Sequence, residues 1–411
     1  MQNTITLPAN SGFYQNMVLK SLYKMNKGTL NITLPSGGSL VMGDARGIEA
    51  SIVVNDEAFF ERLVLFGDIG FGEAYVDGLW DTNNITNVIK WVLLNIDNAP
   101  SVSGSKTRAL SLNLFKWFNK IYHFKRANTV SGSKKNISEH YDLSNDFFAT
   151  FLDPTMTYSS ACFLKEDMSL KDAQLAKYDR LCKQLRLQST DHVLEIGSGW
   201  GGNAIYMAKN YGCKVTSLTI SEEQWKFANE RVEAEGLTDK VKILLQDYRQ
   251  MEGRFDKIVS VEMLEAVGHQ FLEVYFTKVH QLLKRDGILA LQVITSPDSR
   301  YQSLRSGVDW IQKHIFPGSL LPSVGAINKA VNNTGDLTLV DLKDIGLDYA
   351  HTLKKWHENF NASLPAIKKL GFDSRFVRKW NYYLCYCEAA FLMRNINTMH
   401  LVYSRPNNTN W

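Results

Sequence analysis

Cysteine and proline are both scarce in this chain, with five and nine copies among 411 residues. An odd, dispersed set of thiols builds no disulfide framework and points to a reducing cytoplasm. So few prolines, with only 27 glycines, exclude a fibrous or linker-like protein. No run of about 18 apolar residues is present to span a bilayer. The opening stretch MQNTITLPANSGFY has neither the basic nor the apolar region of a secretory signal. No internal repeat recurs. What is there is 45% apolar, 21% charged and 11% aromatic, which excludes disorder and is enough to bury one large core or two smaller ones.

Acidic residues are missing from one whole segment. The net charge is +4, yet residues 1–100 carry six basic against ten acidic side chains, and residues 136–411 carry 32 of each. Residues 101–135 hold Lys106, Arg108, Lys116, Lys120, Lys125, Arg126, Lys134 and Lys135 with no acid at all. Such a segment asks for a polyanionic partner. Within it, Leu114, Phe115, Phe118, Ile121 and Tyr122 recur at helical spacing among the lysines, a basic amphipathic pattern suited to anionic lipid. The same pattern also suits a helix packed on a domain with its basic face in water. SVSGSK and SGSKK flank it as flexible linkers.

Residues 1–100 are expected to form a small α+β domain. Leu30 to Leu34 and Gly47 to Val54 read as strands, and Phe59, Leu63 and Phe66 give Asp56 to Phe66 a helical spacing. The glycines of FGDIGFGEAYVDGLW, at 67, 70, 72 and 78, suggest tight turns. Residues 101–135 form the basic linker, and 136–411 the catalytic domain. There, strands expected at His192–Ile196, Lys214–Leu218, Val241–Leu245, Lys257–Val261, Gly287–Ile294 and His400–Ser404 alternate with helical stretches such as Glu222–Glu235. That alternation predicts an α/β fold, a Rossmann-like doubly wound sheet.

The run VLEIGSGWGG leaves the first of these strands through glycines. Gly197, Gly199 and Gly202 formally satisfy the dinucleotide pattern, but a nicotinamide site needs an acid about 20 residues later to hold a ribose. Positions 215–219 read VTSLT instead. Glu195 followed by Gly197, Gly199 and Gly201 fits the E/D-x-G-x-G-x-G turn of class I S-adenosylmethionine (SAM) dependent methyltransferases, whose glycines let the backbone approach the ligand. Asp247, after the third strand, suits an adenine amino group. No zinc spacing and no Ser/His/Asp arrangement stands out.

Longer motifs carry a resemblance. HYDLSNDFF, LDPTMTYSSACF, VLEIGSGWGG, LTISEEQ, QDYRQ, EMLEAVGH, IFPGSLLPS and YYLCYCEAAF resemble the cyclopropane-fatty-acyl-phospholipid synthases and the related mycolic acid cyclopropane synthases. FGDIGFGEAYVDGLW is similar to the N-terminal domain of the full-length bacterial phospholipid enzymes. The resemblance implies transfer of the SAM methyl group to the cis double bond of an unsaturated phospholipid acyl chain, followed by loss of a proton and ring closure. It implies a cytoplasmic protein that makes peripheral contact with the inner face of the membrane, acts on phospholipid rather than nucleic acid, and forms a homodimer.

The resemblance also implies residue roles. Tyr158 and Ser159 match a pair that contacts SAM, Thr219 to Gln224 a ribose-side loop, and Asp247 with Tyr248 the adenine side. The family's base is a bound bicarbonate ion held by Cys, Glu, His and Tyr. The Glu falls on Glu265 and the Tyr on Tyr349, while Ser160 and Gln292 stand at the Cys and His positions. Ser and Gln each donate a hydrogen bond that a carbonate oxygen would accept. Cys387 aligns with a Cys proposed as an active-site residue, although a lone Cys on an aromatic helix also reads as a small buried hydrophobe. Cys385 and Cys387 point to different helix faces, so no metal site is expected. His269 is an additional polar residue in EMLEAVGH. The apolar stretch near 297–322 is expected to enclose the acyl chain. Alternatives are a C-methyltransferase giving methyl-branched or methylene chains, a small-amine N-methyltransferase, and a lipid-binding module that keeps SAM for structure.

Overall fold

The computed structural model describes residues 12–98 and 143–409. The basic segment 101–135 lies outside the described residues, as do the first three residues of HYDLSNDFF. The chain divides into two compact units.

Among described residues, the first unit takes in 12–98 together with 303–315 and 371–395. Its four-stranded sheet has the order β2-β1-β3-β4. Here β1 is Thr29–Thr33, β2 Ser39–Gly43, β3 Glu49–Val54 and β4 Trp80–Asp81. The outer pairings are antiparallel and β1 runs parallel to β3. Leu30 and Ile32, like Ala50, Ile52 and Val54, alternate into the core with the two-residue period of a half-buried strand. The helix Ile85–Leu94 starts where the Asn84 side chain accepts the N–H of Asn87, an N-cap. It packs against the helix Ser374–Leu392, where Thr86 Oγ1 donates to Glu388 Oε2 at 2.7 Å.

Two expectations for this unit change. The glycines at 70 and 72 are helical, not turn residues: the helix runs from Ala58 to Val76 with one break at Gly67, where φ is 59°. A Cβ on Gly72 would stand 2.6 Å from the Trp310 ring and 2.7 Å from Tyr382, so Gly72 serves close packing. Gly78, at φ 78°, does make a turn. Those same contacts bring 303–315 and 371–395 into this unit, so residues 136–411 do not form one continuous domain, and the stretch near 297–322 is divided.

The second unit holds a seven-stranded sheet, order β10-β11-β9-β8-β5-β6-β7. In chain order these are β5 His192–Ile196, β6 Lys214–Thr219, β7 Val241–Leu245, β8 Phe255–Val261, β9 Leu283–Thr295, β10 Thr338–Asp344 and β11 Asn397–Ser404. From β7 to β9 the strands are parallel, while β11 runs antiparallel to both β9 and β10. The central strands are buried on both faces, as helices on either side require. Leu194, Ile196, Leu289, Leu291 and Val293 face one core with Tyr275, Phe276 and Val279. Val193, Val215, Ile288 and Ala290 face the other with Leu181, Ala204 and Val232. The chain therefore has the class I SAM-dependent methyltransferase architecture. Among the described residues no helix is long and apolar enough to cross a membrane.

Candidate active site

In an open α/β sheet, ligands bind outside the carboxyl ends of the strands. At that edge β5 ends in Glu195 and the glycine turn. Gly197, Gly199 and Gly201 have φ of 99°, 48° and 83°, the left-handed region that side chains disfavour. A Cβ at Gly199 would meet nothing within 4 Å, so the turn leaves its backbone bare. The helix Gly202–Tyr211 begins directly behind it. Glu195 is deeply buried: Asn203 Nδ2 donates to its Oε1 at 2.8 Å and the Ser217 hydroxyl to its Oε2 at 2.5 Å. Burial pushes its carboxyl up to about 7, against those two hydrogen bonds and the charge of Lys177. Both oxygens are thus engaged in tying the turn to the next strand, a positioning task. This cradle of bare backbone fits the methionine and ribose part of SAM.

Further along the same edge, Thr219 Oγ1 donates to Gln224 Oε1 at 3.0 Å and accepts the Ser221 N–H. Ser221 in turn caps the helix Glu222–Ala234. Asp247 follows β7 with its carboxylate gripped by Arg249 through Nε at 2.8 Å and a terminal nitrogen at 2.6 Å. Burial pushes the Asp247 carboxyl up, but Arg249 outweighs it and holds it below the usual range. An ionised Asp247 has lone pairs left for an adenine amino group. Tyr248 lies edge-on to Tyr275, with ring centroids 5.3 Å apart.

The loop bearing TMTYSS reaches the same region. Arg231 donates to the carbonyls of Thr155 and Trp200 at 3.0 and 2.8 Å, linking this loop to the glycine turn. Tyr158 packs on Trp356, centroids 5.2 Å apart, and Trp356 meets Tyr349 edge-on at 6.0 Å. The Ser159 hydroxyl accepts from Lys177 Nζ at 2.8 Å. Lys177 is fully buried, and burial pulls its ammonium down to about 8 despite the nearby Glu262.

Ser160, Gln292 and Tyr349 do converge, and what they converge on is Glu262. The Ser160 N–H and Gln292 Nε2 donate to Glu262 Oε1 at 2.9 and 2.8 Å, and the Tyr349 hydroxyl donates to Oε2 at 2.9 Å. The remaining bonds of this cluster are also made. Gln292 Nε2 reaches the Ser160 carbonyl at 3.1 Å, and the Ser160 hydroxyl donates to the Ala161 carbonyl. The β9–β11 register sets His400 opposite Gln292, with Nε2 at 2.8 Å from Gln292 Oε1. Burial, with Arg180 and Lys177 nearby, pulls His400 down to about 3, so its ring is neutral; its Nδ1 lies 3.1 Å from Gln184 Oε1. Glu262 itself leaves β8 at φ 50°, a backbone region uncommon outside glycine, and its N–H donates to the Gln292 carbonyl at 2.7 Å.

Glu265 is buried close by. Its Oε1 accepts the Ile294 N–H, and its Oε2 has no partner among the described residues. Burial first, and then the charge of Glu262, push the Glu265 carboxyl up to about 8. Burial raises Glu262 above the ordinary carboxylate range too, opposed by Gln292, Ser160, Lys177 and Tyr349, which favour its charged form; Glu265 has no such set of donors and feels the charge of Glu262, so of the pair Glu262 gives up its proton first. The two environments therefore divide the roles, with the charge on Glu262 and the proton on Glu265.

Glu262, His400 and Lys177 are site residues that sequence reasoning passed over. Glu262 stands inside the quoted motif EMLEAVGH, and the other two carried no signal. Cys387 lies in the first unit, on the helix Ser374–Leu392, and burial drives its thiol far above the range of a thiolate. His269 Nδ1 lies 2.6 Å from the Tyr301 hydroxyl. Among the described residues no group of His, Cys, Asp and Glu could hold a metal ion.

The pattern of the mycolic acid cyclopropane synthetase family matches residues 129–401. The chain is 39% identical to the cyclopropane-fatty-acyl-phospholipid synthase of Escherichia coli K12, over 91% of this chain and 92% of that one. It is 40% identical to the tuberculostearic acid methyltransferase UfaA1 of Mycobacterium tuberculosis, over 82% of this chain and 78% of that one. Among solved structures it is similar to mycolic acid cyclopropane synthase CmaA1 complexed with SAH and CTAB. That likeness has a TM-score of 0.61 and 30% identity, covering 66% of this chain and 98% of the other.

Proposed function

The chain belongs to the mycolic acid cyclopropane synthetase family, and from that premise we propose that it makes cyclopropane fatty acids, adding a methylene group from SAM to the cis double bond of unsaturated phospholipid acyl chains. Bound SAM supplies an electrophilic methyl on a sulfonium. An alkene is a weak nucleophile, and its methylation leaves a carbocation that must meet a base before it meets water. The observation that carries this reading is a buried carboxylate ringed by neutral donors beside an aromatic wall, all at the sheet edge that bears the glycine turn. The faces of Tyr158, Tyr349 and Trp356 suit a passing positive charge. Gly197, Gly199 and Gly201 cradle SAM, Glu195 holds that turn, and Tyr158, Ser159, Thr219, Gln224, Asp247 and Tyr248 complete the binding surface.

We further read the protein as a homodimer that meets its substrate at the inner face of an anionic membrane. Unsaturated phospholipid vesicles incubated with the protein and trideuteromethyl-SAM test the reaction. The expected lipid product keeps two of the three deuterons, because ring closure removes one from the transferred methyl. Retention of all three would replace ring closure by a methyl-branched or methylene product. Absence of label from every lipid would overturn the lipid reading in favour of an amine methyltransferase.

A further inference from the structure

The resemblance implies a bicarbonate ion as the base, held by the groups at positions 160, 265, 292 and 349. In this structure three of those four positions already serve an anion of the same shape. The Glu262 carboxylate accepts from the Ser160 N–H, the Gln292 amide and the Tyr349 hydroxyl at 2.8–2.9 Å. When ionised it is, like bicarbonate, a planar, singly charged oxyanion, and its two oxygens divide these three donors between them. The Ser160 hydroxyl is turned to the Ala161 carbonyl, and the Gln292 amide donates to Glu262 and to the Ser160 carbonyl, so neither offers a spare donor. A second anion here would also face the charge of Glu262 across a buried site, where repulsion is strong. The residues present do not fit bicarbonate.

We propose that the Glu262 side chain takes the place of the bicarbonate ion, so that this enzyme carries its base covalently. The inference rests on the reaction proposed above. The alkene takes the methyl group, so one C–C bond forms, the C–S bond breaks and the sulfur keeps its electron pair. The adjacent carbon is left positive. Glu262 then removes a proton from the new methyl group, and the electron pair of that C–H bond closes the ring onto the cation. The resulting carboxylic acid returns its proton to water before the next turnover.

The backbone supports this assignment independently of the hydrogen bonds. Glu262 occupies the left-handed region, φ 50°, at the end of β8, and such strain persists where the surroundings over-determine it, as at reaction centres. The Gln at position 292 accords with the same substitution, while at position 160 it is the main-chain N–H that donates, whatever the side chain. Beside a fixed carboxylate, a Ser main-chain N–H and a neutral Gln amide suffice as donors, with no thiol or imidazole required.

The test uses the full chain, first on wild type and then on Glu262→Gln and Glu262→Ala. With ¹³C-labelled bicarbonate and SAH, NMR titration is expected to show no saturable binding to wild type and to show it for Glu262→Ala. In CO₂-free buffer the wild-type rate should match that in added bicarbonate within about twofold. Glu262→Gln should lose about 100-fold or more in turnover, with SAH affinity and thermal midpoint retained. Glu262→Ala should regain part of its lost rate with bicarbonate or formate. Saturable bicarbonate binding by wild type, or a wild-type rate that rises severalfold with it, would overturn the proposal. So would a Glu262→Gln variant within tenfold of wild type. The binding titration does not depend on turnover, so failure of the cyclopropanation reading and failure of this one are separately visible.

Discussion

Glu265 keeps its proton at neutral pH because it is buried, has one backbone donor and lies beside a charged neighbour. A buried carboxyl whose pKa is raised on folding binds a proton that the unfolded chain has released. Its favourable contribution to folding is therefore complete below the ordinary carboxylate range and is lost as the pH rises toward about 8. Glu265→Gln removes this titration while keeping the shape. The melting temperature of the variant relative to wild type should rise steadily between pH 5 and pH 8, read by thermal unfolding in matched buffers. A difference that is flat or falls with pH would mean that native Glu265 is already ionised. EMLEAVGH offers two acids three positions apart, and nothing in their order says which one faces the donors. That choice depends on the left-handed exit from β8 and on groups at 160, 292 and 349, which only the fold brings together.

At the scale of elements, the strands with strong apolar runs were legible: most lie in the sheet centre, buried on both faces, and the edge strand β7 still carries the apolar run VKILL. β10 was not legible: in TLVDLKD most side chains are partly or fully exposed, so no apolar pattern marks this edge strand. The glycines of the Ala58–Val76 helix misled for a related reason. Glycine signals a turn by conformational freedom or close packing by its missing Cβ, and the sequence does not distinguish the two. At Gly72 the missing Cβ decides, since Trp310 and Tyr382 come within 2.7 Å of where it would stand. Gly72→Ala should therefore destabilise the protein by about 1–3 kcal/mol despite the better helix propensity of alanine, because two large rings must shift. Equilibrium urea unfolding measures this. A variant as stable as wild type would show that the rings relax freely.

For the whole molecule, the division into units was only partly legible, since 303–315 and 371–395 join residues far away in sequence and no composition shift marks their ends. The charge pattern, by contrast, is a property of the chain alone. Residues 101–135 are expected to help the enzyme reach lipid, because they concentrate eight basic residues with no acid and set aromatics among them. Each basic residue near an anionic surface contributes about 1 kcal/mol, and the attraction is screened by salt. Replacing Lys116, Lys120, Lys125 and Arg126 with Gln removes half of that charge. Cosedimentation with anionic phospholipid vesicles should then weaken at least tenfold at low salt, with a smaller difference at high salt. Affinity for SAH should not change, because none of the four is among the residues assigned to the cofactor surface. Vesicle binding that is unaffected by the four replacements would assign membrane contact to another surface and leave this segment a linker.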